Sequence, residues 1–489
     1  MLFSILFRSI ISKRFDNLIF VEKMYNSDEV IFMLSAISRH YKKQMNAQVI
    51  ELSSFKSCIR DFLSEENIKI RLFPLTVLFL CPIFYSRCFF NVIKSSNPKF
   101  LEDCSFLNED FQDAIAIKCG VNWRVKRWLP SVVLRVTIEL CYFIFFIKVI
   151  DMIKFKAKLV ITGDNSYRYG GLAKYASFSG IPVITNLNMN ELKLNHYTDF
   201  SQFGIDPSSV EEGDFKIDLT DEQIEKQVND YFSSRFSGEI MQHDVIAAHA
   251  KGSDPFNPFP NKKPIATIFS HVLCDAPSNI PGKLHKDYKE WFLDSLKILL
   301  DNKSVNVCVK EHPSASLYGE EGLIRKLCLD NDLDVSCVQF VDNVQNSKIL
   351  DVSKYVITCN GTVGLEALQK EKQVIVASDA FYSLPDLVHT PKSQKVYREY
   401  LLNIGTDSFS DIFFSKELKN RVYSLLYYAF FTLNNRQKLR NFPLPPYVKG
   451  RINELAEADF LVLNDYLKEN GVLNELDDLI EKKKLKFIL

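Results

Sequence analysis

The chain of 489 residues carries no excess of charge of either sign: Lys and Arg number 60, Asp and Glu number 60, and the formal net charge is zero. Such a balance provides no global field for nucleic acid, so no nucleic-acid partner is expected and any anion site must be local. Nor is there a C-x-x-C pair among the 11 cysteines, which are scattered from Cys58 to Cys359. That argues against a zinc ribbon or a disulfide framework and for reduced thiols used as small apolar residues in a cytoplasmic protein. In that setting the sequon Asn360-Gly361-Thr362 carries no glycosylation meaning. The N-terminal stretch MLFSILFRSIISKRF places its basic residues after its apolar ones, the reverse of an export signal, so no export is expected. A long uncharged run is also lacking. In LRVTIELCYFIFFIKVIDMIKF, Glu139 and Lys148 bracket a stretch shorter than the ~20 residues a membrane span needs, so a buried helix is expected. Phenylalanine is plentiful, at 39 residues, which leaves peripheral contact with the inner membrane open. No internal repeat or low-complexity tract is present.

What is there is a folded chain. At 47% hydrophobic and 25% charged, the composition is far from the disordered class. The pattern is hard to parse before residue 155. KAKLVITGD, YGGLAKYASFSG and IPVITN then read as strand, helix and strand, a unit that implies a parallel sheet. GSDPFNPFPNKKP reads as a linker. After it, strands and helices alternate from IATIFSH to KQVIVAS with short connections, the mark of a doubly wound parallel sheet. The remainder reads as helical. The expected organisation is an N-terminal α/β lobe over 1–252, a linker over 253–264, a Rossmann-like lobe over 265–409 and a helical region over 410–489.

Ligands of open α/β sheets sit beyond the C-terminal ends of the strands. In the second lobe those ends bring Ser270, His271 and Asp275 after the first strand, and Lys310, Glu311, His312 and Pro313 after the second. Asn360, Gly361 and Thr362 follow the fourth. Pro313 holds His312 in extended backbone, and an imidazole there can donate to a phosphate and stabilise a leaving group, with Lys310 adding charge if it points inward. Gly361 and Gly364 allow close backbone approach ahead of a helix N-terminus, a pattern suited to phosphate. The alternative is that Asn360 or Thr362 caps that helix. A capping box from Thr362 would need Glu or Gln where Leu365 stands, so Glu366 is left to accept bonds from ribose hydroxyls. In the first lobe Asp164 ends a strand and is a candidate base, with Tyr167 and Arg168 as candidate contacts to a sugar or carboxylate; Asp164 as a helix cap is the competing reading. Ser270 has a capping alternative too. DNDLD, at residues 330–334, resembles a metal motif but falls at the wrong end of the sheet, and is read as a solvated turn. No metal site is expected, and the basic KKKLKF end is read as a solvated tail.

VKEHPSAS, followed by VITCNGTVGLEALQKEKQVIVASDAFY, resembles the C-terminal lobe of bacterial capsular polysaccharide biosynthesis glycosyltransferases. This group includes the Kdo transferases and is similar to transferases that use CMP-sialic acid and carry an HP motif. The resemblance covers roughly Pro264 to Tyr382, with a weaker match in ITGDNSYRYGGLAKYASFSGIPVI. It implies a GT-B fold of two Rossmann-like lobes with an interlobe cleft, His312 on the donor phosphate, and the Asn360–Thr362 loop with Glu366 around the nucleotide. Gly361 departs from the Ser or Thr common there, and one hydroxyl donor is lost. The implied activity transfers a sugar, Kdo or a related acidic sugar, from a CMP-activated donor substrate. The acceptor would be a glycan or lipid-linked glycan at the inner face of the cytoplasmic membrane, and no separate cofactor is needed. The rival expectations are a CDP-polyol phosphotransferase, a UDP-sugar transferase of the same fold, and a nucleotide-sugar-binding protein without catalysis.

Overall fold

Short runs rich in Val, Ile and Leu become parallel strands in both halves of the chain, because strands buried on both faces have no need of polar alternation. The structure is a computed structural model that describes residues 17–23, 28–54, 68–72, 104–120, 129–164, 166–186, 194–197, 199–204, 217–237, 259–342, 344–432 and 469. Its contacts divide the chain into two compact units, the second running from Ser208 to Thr432.

The described part of the first unit holds β1 (Leu18–Lys23), α1 (Asp28–Gln44), β2 (Gln48–Ser54), β3 (Ile68–Leu72), α2 (Asn108–Cys119), α3 (Pro130–Ile153), β4 (Ala157–Thr162), α4 (Tyr167–Phe178), β5 (Val183–Asn186) and β6 (Leu194–Tyr197). The strand order is β3-β2-β1-β4-β5-β6, parallel except for β6 against β5. The strand–helix–strand unit expected from residue 156 onward is β4-α4-β5. The apolar stretch around Glu139 is α3, a helix of 24 residues. No described helix is long and apolar enough to cross a membrane. Glu139 is fully buried and ion-paired to Arg135 at 2.6 Å, as a helix packed within protein requires.

The second unit holds α5 (Asp221–Phe236), β7 (Ile265–Phe269), α6 (Tyr288–Asp301), β8 (Asn306–Lys310), α7 (Leu323–Asp330), β9 (Val338–Phe340), α8 (Asn346–Val352), β10 (Ser353–Thr358), α9 (Val363–Gln369), β11 (Gln373–Val376), α10 (Gln394–Asn403) and α11 (Lys416–Tyr427). The sheet order is β11-β10-β7-β8-β9, parallel throughout. Both units thus have the Rossmann-like strand order expected of the two lobes. The chain leaves β7 toward β8 and β9, then returns to the other side of β7 as β10. The switch point between β7 and β10 is where such sheets open a crevice.

Local chemistry sets the helix ends. Asp287 accepts the Glu290 N–H at 2.8 Å to start α6, and Thr220 with Gln223 forms a capping box on α5. All five residues of β7 and of β8 are buried. Cys274, Cys308, Cys328 and Cys359 are buried free thiols, as expected of small apolar residues.

The unit limits differ from the expected ones in two places. Helix α5 falls in the second unit and not in a lobe ending at 252, and α11 belongs there too, not to a separate C-terminal region. The two helices are tied together: Asn420 Nδ2 donates to Asp221 Oδ2 at 2.6 Å and the Tyr423 hydroxyl to Asn229 Oδ1 at 3.2 Å. Their partners lie almost two hundred residues apart in sequence, beyond the reach of local pattern. Residues 253–258 of the expected linker, and the stretch RINELAEADFLVLNDYLKEN, expected to be helical, apart from residue 469, lie outside the described residues.

Candidate functional site

A pocket lies at the C-terminal ends of β7, β8 and β10, where the switch point opens the sheet, and encloses about 540 Å³ of space open to solvent. Ser270, His271, His312, Pro313, Gly361 and Thr362 line it, so residues from three strand ends converge there as expected.

His312 is held at both its backbone and its ring. Its N–H donates to Ser270 Oγ at 3.1 Å, and Ser270 is itself buried at the end of β7. The Ser314 N–H donates to His312 Nδ1 at 3.2 Å. A ring nitrogen that accepts a bond carries no proton, so the neutral ring keeps its proton on Nε2, the donor an anionic ligand needs. Ser270 therefore serves to fix His312, not to cap the next segment.

His271 has a different task. Its ring stacks on Tyr288 with centroids 4.4 Å apart, and burial, with the neighbouring His312 imidazole adding to it, pulls its pKa down to about 3. It is neutral at physiological pH. The Asn360 N–H donates to its Nε2 at 3.4 Å; Thr358 Oγ1 lies 3.3 Å from the same nitrogen and accepts the Gly361 N–H at 3.1 Å. His271 thus pins the loop after β10. In that loop the Thr362 side chain makes no capping bond. The N–H groups of Thr362 and Val363 have no acceptor among the described residues. The capping alternative for Thr362 is not what the chain uses. The Asn360 side chain instead lies 3.4 Å from the Tyr288 hydroxyl.

Four expected roles need correction. Lys310 and Glu311 both line the pocket, but Lys310 is 3% exposed and its ammonium donates to the carbonyls of Val341, Asp342 and Val344 at 3.2, 2.5 and 2.9 Å, so its charge goes to the turn after β9. Glu311 accepts the N–H groups of Gly322 and Ile324 at 3.0 and 3.4 Å and holds the start of α7; burial pushes its carboxyl pKa up. Gly364 leaves room for the Tyr382 phenol, not for a ligand, since a Cβ there would overlap the phenol oxygen. Tyr382 in turn donates to the Gly361 carbonyl at 2.6 Å. Gly364→Ala is therefore expected to cost about 1–3 kcal/mol, read as a lower urea midpoint; an unchanged midpoint would mean that Tyr382 moves aside without cost. Glu366 does line the pocket, but its Oε1 accepts Arg235 Nε at 2.9 Å, with both side chains under a tenth exposed.

Arg235, on α5, was not visible as a site residue in the sequence. Its guanidinium also donates to the Tyr231 hydroxyl at 3.4 Å and lies 5.4 Å from the Phe430 ring centroid. Burial is the largest single influence on its pKa and lowers it, but Glu366 and Tyr231 together raise it by more, so the net shift is upward and the group stays charged. Asn346, at the start of α8, lines the same pocket and was likewise missed. No local motif marks either residue.

Asp164, Tyr167 and Arg168 sit after β4 in the first unit. Asp164 Oδ1 accepts from the Ser166 N–H at 2.9 Å and from its hydroxyl at 2.6 Å, a turn that leads into α4. The cap position of α4 is Ser166, so Asp164 does not cap the helix, and its Oδ1 is engaged in the turn before it. Tyr167 opens α4 at a positive φ of 55°. Arg168 pairs with the buried Glu139 at 2.8 Å and lies 4.6 Å from the Tyr142 centroid, so it supports α3 and is not offered to a sugar. Asp275 is exposed and lies outside the pocket lining. The 330–334 stretch is a turn in which Asp334 accepts the Ser336 N–H at 3.0 Å, as expected.

Residues 279–399 match the family described as capsule polysaccharide biosynthesis protein, and over this stretch the resemblance read from the sequence holds. The match includes His312 and the 360–366 loop. Protein FixF of Sinorhizobium fredii is 27% identical over 128 residues, which is 25% of this chain and 30% of that protein, so the likeness spans under a third of the relative's length. Among solved structures, the KpsC β-Kdo 2,4 transferase of Thermosulfurimonas dismutans aligns with a TM-score of 0.35 at 12% identity, covering 56% of this chain and 80% of that one. A glycosyltransferase from Rickettsia africae aligns at 0.25 and 12% identity, covering 84% and 93%, and Anabaena HepE with UDP and glucose at 0.26 and 10%, covering 93% and 98%.

Proposed function

Because residues 279–399 of its second unit carry capsule polysaccharide biosynthesis sequence, we propose that this chain is a glycosyltransferase of surface polysaccharide assembly that takes its sugar from a nucleotide-activated donor. The observation that carries the reading is His312: its ring is fixed so that Nε2–H is the donor, in a pocket that Thr362 also lines. As the glycosidic bond to the leaving phosphate breaks, charge grows on the phosphate oxygen, and donors already aimed at that place stabilise it without reorganising. The Nε2–H of His312 and the N–H groups of Thr362 and Val363 take that part, so in this reading the countercharge comes from protein groups. We assign the donor to CMP-activated acidic sugars such as Kdo, and the acceptor to a glycan or lipid-linked glycan met at the inner face of the cytoplasmic membrane. No first-unit carboxylate is assigned as base, since Asp164 is engaged in its own turn.

Thermal unfolding with CMP, CDP, UDP, GDP and ADP tests the reading. A ligand at a hundred times its Kd stabilises the folded state by about 2.7 kcal/mol. CMP is expected to raise the midpoint. A response to UDP or CDP alone moves the donor class, and no response to any nucleotide rejects a nucleotide site.

A further inference from the structure

Asn346 is 5% exposed, and its side chain makes no hydrogen bond to any described residue. Its Oδ1 is buried without a partner. Buried carboxamides in folded proteins are almost always bonded, because the water they give up has to be replaced. A structural role does not explain this one. The cap position of α8 is Gln345, which makes no side-chain cap bond, and Asn346 follows it inside the helix without bonding the backbone. Asn346 does line the pocket at the switch point, together with Arg235 and Glu366.

The charges around it narrow the ligand. The Arg235–Glu366 contact of 2.9 Å pairs a cation with an anion, the Lys310 ammonium is spent on the carbonyls of Val341, Asp342 and Val344, and Glu311 accepts from the start of α7, so these charged side chains of the lining are engaged by the protein itself. The anion donors, His312 Nε2–H and the Thr362 N–H, belong to the strand ends of β8 and β10. A neutral, planar, polar group is what fits beside Asn346. A carboxamide presents an acceptor and a donor side by side, which complements the paired donor–acceptor edge of a nucleobase.

We propose that the Asn346 carboxamide is the base-reading element of the site, pairing with the donor–acceptor edge of the nucleotide's pyrimidine. The inference rests on the nucleotide-sugar reading above and deepens it. It accounts for a buried amide that the protein leaves unbonded, and it names a specificity residue in a segment, between β9 and β10, that no motif marked.

The test is Asn346→Leu, nearly isosteric and apolar, compared with the wild type in calorimetric titrations with CMP and UMP, alongside thermal unfolding without ligand. The wild type is expected to prefer one of the two nucleotides. In the variant the preferred one binds about 10-fold more weakly, the preference between the two collapses, and the unfolding midpoint does not fall, because no protein bond is lost. A variant that keeps the wild-type affinity and preference overturns the inference and leaves the nucleotide site standing. So does a lower midpoint with both nucleotides weakened equally, which would make Asn346 structural. A wild type that binds both alike also rejects base reading alone. A wild type that binds neither rejects the inference, and with it the CMP assignment on which it rests.

Discussion

His312→Ala is expected to lower sugar transfer by about 10²–10³-fold, the range found when one preorganised donor to a developing anion is removed. The ring is fixed before any ligand arrives, by Ser270 on its backbone and the Ser314 N–H on Nδ1, so little of its effect is lost to reorganisation. Stability should change far less. The variant leaves the N–H of the buried Ser314 without its acceptor, a loss of about 1 kcal/mol. Single-turnover rates with the preferred nucleotide sugar, beside urea unfolding of both proteins, separate the two effects. His312→Gln, which keeps a polar side chain without an imidazole, should remain closer to the alanine variant than to the wild type in rate. Turnover within twofold of wild type in His312→Ala would remove His312 from the chemistry.

The second large effect concerns folding. Arg235→Ala removes the cation 2.9 Å from Glu366, whose side chain is 3% exposed, and breaking a buried ion pair from one side costs about 3–5 kcal/mol. For a unit of this size that corresponds to roughly 6–20 °C in the unfolding midpoint. Removing both charges should cost much less than removing one, so Arg235→Met with Glu366→Leu is expected to recover most of the midpoint. If the single variant unfolds where the wild type does, the pair is open to water and the buried geometry is not what the protein uses. Because the pair joins α5 to α9, its loss should also loosen the wall of the pocket, and nucleotide affinity should fall in the single variant even at temperatures where it is folded.

The strand ends of the second unit were legible because alternation of β and α elements forces a parallel sheet, and a parallel sheet puts its strand ends on one side. That is why His312, Ser270, Gly361 and Thr362 meet in one pocket, which Asn360 does not line. The HP dipeptide added the backbone restriction that points the imidazole. Legibility stopped at side-chain direction. Lys310 and Glu311 are next to His312 in sequence, yet one is drawn to the carbonyls of residues 341–344 and the other to the start of α7. Gly364 was read as room for a ligand, whereas Tyr382 fills the space.

The amino-acid order alone thus settled the class of fold, the second sheet and its open end, and the presence of His312 at that end, since each follows from periodicity and from backbone restrictions acting within a few residues. The tertiary structure decided which charges are offered to a ligand and which are spent. Arg235 reaches Glu366 across 131 positions of sequence, and Asn346 enters the pocket from the crossover between β9 and β10. A charge or amide is committed or free according to what lies within about 3 Å of it, and in a doubly wound sheet those neighbours come from distant strands.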